Sequence, residues 1–200
     1  MDIATWTLIG FLLGSIPFSV MVGRLAADVD IRQYGDHNPG ATNVLRATGW
    51  GWFALAGLLD YLKGAVPVGL PWFFLGIHGW GIIPIALAPL LGHAFSPWLR
   101  FRGGKAVAAT FGVWTGLTVG AGPIMLGLLL GLAFAVVVAS GWAVVLAMLG
   151  FGGFIWQQYS AYRPEFMVIW LGNLALLAWK YREDLGHMPG IRSWLLRLFR

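Results

Sequence analysis

Two polar stretches interrupt an otherwise apolar chain, and both carry groups suited to holding an anion. Gly35 to Arg46 reads GDHNPGATNVLR, and Phe101 to Gly112 reads FRGGKAVAATFG. In the second, Gly103 and Gly104 precede Lys105 and a helix-forming run. Glycine lets backbone N–H groups approach an anion with no Cβ in the way. The helix start that follows adds unpaired amides and a positive dipole end, and Arg102 and Lys105 add formal charge. The spacing is not the P-loop's G-x-x-x-x-G-K-[ST]. Two readings stand side by side: a phosphate cradle, and a glycine turn whose basic residues set membrane topology. In the first stretch Pro39-Gly40 signals a turn, and Thr42 or Asn43 is placed to cap a short helix carrying Arg46. Asn38, Thr42, Asn43 and Arg46 can hydrogen-bond phosphate oxygens or a polyol, or can satisfy one another in a closed loop. If both stretches lie on one side of a membrane, a shared site with an anion between Arg46 and Lys105 is expected.

The remaining polar groups are few. Asp60 and Lys63 lie one helical turn apart inside an apolar run, where charges are costly and are expected to pair. His93, in GHAFSP, is read as a helix cap or a general acid/base, with no carboxylate neighbour evident along the chain. His37 and His187 fall in loops and His78 at the opposite face, and no His, Asp or Glu spacing reads as a metal site. The chain has no cysteine, which excludes thiolate nucleophiles, disulfides and Cys-based metal sites. Gln157, Gln158 and Asn173 are expected to hydrogen-bond between helices.

The elements that must position these groups are membrane helices. Hydrophobic residues make up 58% of the chain and charged ones 10%, too much apolar surface for a soluble domain of this size. An all-α polytopic membrane protein is expected, as a single integral domain over 1–200. About seven spans are placed at 4–26, 50–77, 79–98, 105–118, 121–139, 141–159 and 165–181, the fourth being short. The first run has no basic segment before it and reads GSIPF where a signal peptide would carry small residues for cleavage. Of the 13 Lys and Arg residues, Arg163 alone falls on one side of the membrane, Lys63 lies within a span, and the rest share the other side. That asymmetry places the N-terminus outside and the C-terminus and both polar loops in the cytoplasm. It also accounts for the net charge of +5 without nucleic acid. The tail SWLLRLFR sets Trp194, Leu195, Leu198 and Phe199 among arginines, as in a short interfacial helix on anionic lipid.

Taken together, GSIPFS (14–19), DIRQYGDHNPGATNVLRATG (30–49), LLDYLKG (58–64) and GHAFSPWLRFRGGKAVAATFG (92–112) resemble the bacterial acyl-phosphate:glycerol-3-phosphate acyltransferases. These are small integral membrane enzymes with a cytoplasmic active site. The resemblance implies acyl transfer from acyl phosphate to the sn-1 hydroxyl of glycerol 3-phosphate; a monomer without cofactor or metal is expected. It implies that Arg46 and Lys105 hold phosphate, that Gly103 and Gly104 supply backbone approach, and that Asn43 organises the first loop. The chain departs from the family pattern in three places. Asp36 and His37 stand where the family has Ser-Gly. Ala106 replaces the glycine after Lys105. Tyr181 and Asp184 fall on a His and an Asn of the C-terminal motif. Asp36 beside Arg46 is then an ion pair, or beside His37 an acid–base couple. The competing readings are a paralogue with another acceptor and a lipid or anion transporter. Transport is opposed by the lack of repeats and by charges gathered at one face.

Overall fold

The computed structural model describes residues 2–197, and it is helical. Among those residues the one extended pairing is an isolated bridge between Val137 and Ile191. The chain divides into two compact units, Met1–Val119 and Gly120–Arg200. Four helical runs are long and apolar enough to cross a bilayer: Ile3–Ala27, Trp50–Phe74, Gly79–Leu99 and Ser140–Tyr159. Val107–Thr118 and Ala121–Val136, which fall in the expected fourth and fifth spans, are apolar but shorter. The protein is a multi-pass membrane protein.

The first unit holds α1 (Ile3–Ser15), α2 (Phe18–Ala27), α3 (Ala41–Thr48), α4 (Trp50–Phe74), α5 (Ile82–Ala94) and α6 (Val107–Thr118). Asp2 starts α1 by accepting the Thr5 N–H at 2.8 Å. Hydropathy alone reads α1 and α2 as one span. Pro17, which has no N–H and a fixed φ, breaks it, leaving Ile16 extended between the two. Helix ends inside an apolar bundle leave carbonyls that need donors. Ser96 Oγ donates to Ser15 O at 2.5 Å, and Lys63 Nζ donates to Ile16 O at 2.8 Å. The GSIPFS motif is therefore a break whose orphan acceptors are met from two other parts of the unit.

Helix α4 packs against α6, and the approach is set by backbone rather than side chains. A methyl group built at Gly64 would collide with Ala109 O, and one at Gly112 with Tyr61 O. In lipid, where apolar burial does not drive helices together, such small-residue contacts are what allow close packing. Deeper in α4, Asp60 and Lys63 pair at 2.7 Å with both side chains 3% exposed. Ser19 of α2 donates to Asp60 Oδ2 at 2.5 Å. His93 Nδ1 of α5 stands 4.0 Å from Asp60 Oδ1. The expected pair is thus the centre of a network that joins three helices and the α1–α2 break.

The second unit holds α7 (Ala121–Val136), α8 (Ser140–Tyr159), α9 (Glu165–Lys180), α10 (Arg182–Leu185) and α11 (Ser193–Arg197). Phe151, Ile155, Phe166 and Ile169 form its buried centre. Trp170 Nε1 donates to Met148 O at 2.7 Å, tying α9 to α8. Asn173 is fully buried, as expected of an interhelical polar residue, but Gln157 and Gln158 are exposed at the end of α8. Arg192 Nε and Trp194 Nε1 donate to Phe134 O and Ala135 O, satisfying the last carbonyls of α7. Of the tail residues expected at the interface, Leu198 and Phe199 lie outside the described residues.

Two outcomes follow for stability in detergent. Gly112→Leu drives a side chain into the α4 backbone and lowers the thermal midpoint, by a free energy of about 1–3 kcal/mol or more. Gly131→Leu, where a Cβ meets nothing within 4 Å, leaves it unchanged. Asp60→Ala or Lys63→Met alone strands a buried charge and costs about 3–5 kcal/mol. The double variant Asp60→Leu/Lys63→Met regains most of that loss, and strictly additive singles would show that the pair is not coupled.

Candidate active site

The loop between α2 and α3 begins with a bidentate clasp. Arg32 Nε and Nη2 donate to both oxygens of Asp30 at 2.6–3.1 Å, and this holds the Asp30 carboxyl at about 2. The backbone then turns through two left-handed residues, Gly35 at φ 57° and His37 at φ 58°. A side chain at Gly35 would strike the Arg46 guanidinium and the Asn43 amide, so the close approach requires glycine there.

This turn aims Asp36 at the opposing loop, and its carboxylate is where the two polar stretches meet. Oδ1 accepts from Asn43 Nδ2 at 3.0 Å and from the Asn38 N–H at 3.3 Å. Oδ2 accepts from Lys105 Nζ at 3.0 Å. Arg46 Nη1 lies 3.9 Å from Oδ1 while donating to Asn43 Oδ1 at 2.8 Å. Partial burial pushes the Asp36 carboxyl up, but the Lys105 hydrogen bond and charge, aided by Asn38 and Asn43, outweigh it. The group therefore sits below the ordinary carboxylate range and is ionised at neutral pH. Asn43 is buried and also donates to Asn38 O at 2.9 Å, which makes it the organiser of the loop.

Several expected roles change. Gly40, not Thr42 or Asn43, occupies the N-cap of α3, and no side chain caps that helix. Thr42 is exposed and makes no side-chain hydrogen bond among the described residues. Asp36 and His37 form no couple, because His37 Nδ1 faces Arg32 O at 2.9 Å. His37 instead lines a cavity of about 750 Å³ with Arg32, Trp98, Leu99, Arg100 and Arg102. Nor do Gly103 and Gly104 offer their amides to an anion. Their N–H groups donate to Ala94 O at 3.2 Å and His93 O at 3.1 Å. Glycine is needed there because a Cβ at 103 would meet His93 O, and one at 104 the His93 ring. The amides that α6 leaves without an intrahelical acceptor are those of its first turn, after Ala106 in a left-handed conformation.

His93 is thus a hinge pin between two systems. Its carbonyl holds Gly104, and its buried ring lies between Gly104 and the Asp60 carboxylate. The carboxylate neighbour invisible along the chain comes from another helix. Trp98 belongs to the same ties, donating from Nε1 to Ser15 Oγ at 3.2 Å. Ser15, Ser19, Asp60, Ser96 and Trp98 were not among the expected site residues. Their signal in sequence is only that small polar residues recur at the ends of apolar runs. Tyr181 and Asp184 belong to the second unit, where they form a group of their own. Asp184 Oδ2 accepts the Gly141 N–H at 3.0 Å at the start of α8, and Tyr181 is buried beside the same glycine.

What the first unit assembles is a carboxylate held by a lysine, an arginine-braced asparagine amide and a main-chain N–H, on two loops distant in sequence. The family profile described as glycerol-3-phosphate acyltransferase matches residues 4–189. The chain is 33% identical over 193 residues to glycerol-3-phosphate acyltransferase 1 of Thermotoga maritima, covering 88% of this chain and 93% of that one. It is 37% identical over 177 residues to the glycerol-3-phosphate acyltransferase of Thermus thermophilus, covering 85% and 88%. Its fold is similar to PlsY, an integral membrane glycerol 3-phosphate acyltransferase, in crystal structures of the glycerol 3-phosphate and lysophosphatidic acid forms. Against each form the TM-score is 0.83 at 28% identity, covering 99% of both chains. Matched along nearly its whole length by profile, relatives and fold, the chain belongs to the glycerol-3-phosphate acyltransferase family.

Proposed function

We propose that the protein transfers an acyl group from acyl phosphate to the sn-1 hydroxyl of glycerol 3-phosphate, at a site facing the cytoplasm. The observation that carries this reading is the gathering of Asn43 and Lys105 on the two oxygens of one carboxylate, with the Arg46 guanidinium 3.9 Å from the first. Both substrates bear phosphate, and such a donor set suits phosphate oxygens as well as carboxylate.

The transfer needs few parts. The acceptor oxygen bonds to the acyl carbon while the acyl carbon–phosphate oxygen bond breaks. The phosphate leaves with the bonding pair, and the hydroxyl proton ends on it or on solvent. Negative charge grows on the carbonyl oxygen and the leaving phosphate, beside Lys105 and Arg46. Catalysis then rests on placing two substrates together and on fixed positive charge. No acyl-enzyme is required, in keeping with a chain that has no cysteine.

Seven crossings with the C-terminus in the cytoplasm are supported by the Lys and Arg asymmetry, which gathers Arg46, Arg100, Arg102 and Lys105 with the basic tail. Catalysis by a monomer belongs to the same reading.

The test is release of inorganic phosphate when purified protein in detergent receives acyl phosphate and glycerol 3-phosphate. Turnover dependent on both substrates is expected. Lys105→Ala is expected to lose about 10²-fold or more in kcat/KM, comparable with removing one charge-stabilising donor elsewhere. Wild-type release no faster than that of Lys105→Ala sinks the reading.

A further inference from the structure

The cage formed by Lys105, Asn43 and Arg46 already contains an anion, and the anion is part of the chain. Asp36 receives donors at both oxygens. The loop is bent to bring it there: Gly35 and His37 on either side are left-handed, and Gly35 is wedged against Arg46 and Asn43. A non-glycine residue at such a φ is uncommon and marks a backbone constrained by its surroundings. The cage is also open. The Asp36 side chain is 46% exposed and that of Arg46 49%, against 19% for Lys105.

Charge counting gives the consequence. Arg46 and Lys105 supply two positive charges, and the ionised Asp36 cancels one of them. A phosphate monoester brings more than one negative charge at neutral pH. It cannot take the donors on Asp36 without displacing the carboxylate, and it meets like-charge repulsion if the carboxylate stays. Juxtaposed like charges are a strong means of refusing a ligand.

We propose that Asp36 is a resident oxyanion, occupying the place of a substrate phosphate oxygen in the Arg46–Asn43–Lys105 cage and setting how readily the site admits a phosphate-bearing substrate. This rests on the reading of the cage as a phosphate site. Asp36 is then a specificity residue acting on binding. A phosphate-bearing substrate enters by swinging the carboxylate out towards solvent, the side left open. A less charged acceptor binds with the carboxylate in place.

The experiment compares wild type with Asp36→Asn, Asp36→Ser and Asp36→Glu, each checked for its thermal midpoint in detergent. Inorganic phosphate binding is measured by calorimetry and by protection of Lys105 from an amine-reactive reagent, and glycerol 3-phosphate kinetics are split into KM and kcat. Asp36→Asn and Asp36→Ser are expected to bind phosphate on the order of tenfold tighter, with KM falling and kcat changing little. Asp36→Glu, which keeps the charge, is expected to bind as weakly as wild type. Phosphate affinity that is unchanged or weaker in folded Asn and Ser variants overturns the proposal. So does a collapse of kcat at constant KM, which would make the carboxylate part of the chemistry. Asp36→Asn/Lys105→Ala separates the two levels: loss of phosphate binding there supports the cage as its site. Tight binding that survives removal of Lys105 refutes the phosphate reading of the cage itself, and the inference with it.

Discussion

A carboxylate sealed among apolar helices must be met on every side, since neither water nor lipid will meet it. Asp60 is such a group, and the first unit gathers its partners: Oδ2 by a hydrogen bond, Oδ1 by the charge of Lys63 without a hydrogen bond of its own. Ser19 reaches it from α2, Lys63 from one turn further along α4, and His93 stands beside it from α5. Each contact does a second task. Lys63 also donates to the carbonyl of Ile16, at the break Pro17 imposes. His93 also accepts the amide of Gly104, and its ring fills the space a side chain there would need. The buried charge therefore fixes the α1–α2 break, the end of α5 and the loop carrying Lys105 relative to one another.

That arrangement explains why the glycine-lysine loop can present a lysine with precision although it is not a phosphate-binding loop of the usual kind. Its glycine amides are consumed by the end of α5, so the loop is tied to that helix at two successive residues. What it delivers is the ammonium of Lys105, aimed at the opposing loop. There Asn43, buried and doubly used as a donor, sets the position of Asp36 while accepting from Arg46. Rigid backing with a partly exposed face is the combination that catalysis by positioning demands, because a loose donor gives up much of its electrostatic effect.

The membrane helices were legible from hydropathy, because apolar runs of bilayer length have few alternatives. The break after Ile16 was not, since a hydropathy window averages across a single proline. That Arg46 and Lys105 would approach one another's loops was legible from residue types and an expected common membrane side, and both do approach Asp36. The role of Gly103 and Gly104 was misread for a physical reason. Absence of a Cβ serves equally the approach of an anion and the approach of another backbone, and sequence does not tell these apart. Thr42 failed as a cap because Gly40 allowed the helix to start earlier. The His93–Asp60 contact joins two helices, and no periodicity along either one announces it.

Position 36 shows how a scaffold can persist while its selectivity changes. The cations, the organising asparagine and the left-handed turn are indifferent to whether the oxyanion between them arrives in solution or hangs from the chain. A carboxylate there satisfies the same donors that a ligand would, so the charges of Arg46 and Lys105 do not stand uncompensated. The fold is eased by the very group that opposes the ligand. An uncharged side chain at this position would reverse both effects, leaving Arg46 and Lys105 to repel one another until phosphate came between them. Stability of the free protein and affinity for a charged substrate are in that sense opposed at one residue, and the chain has taken the side of the free protein.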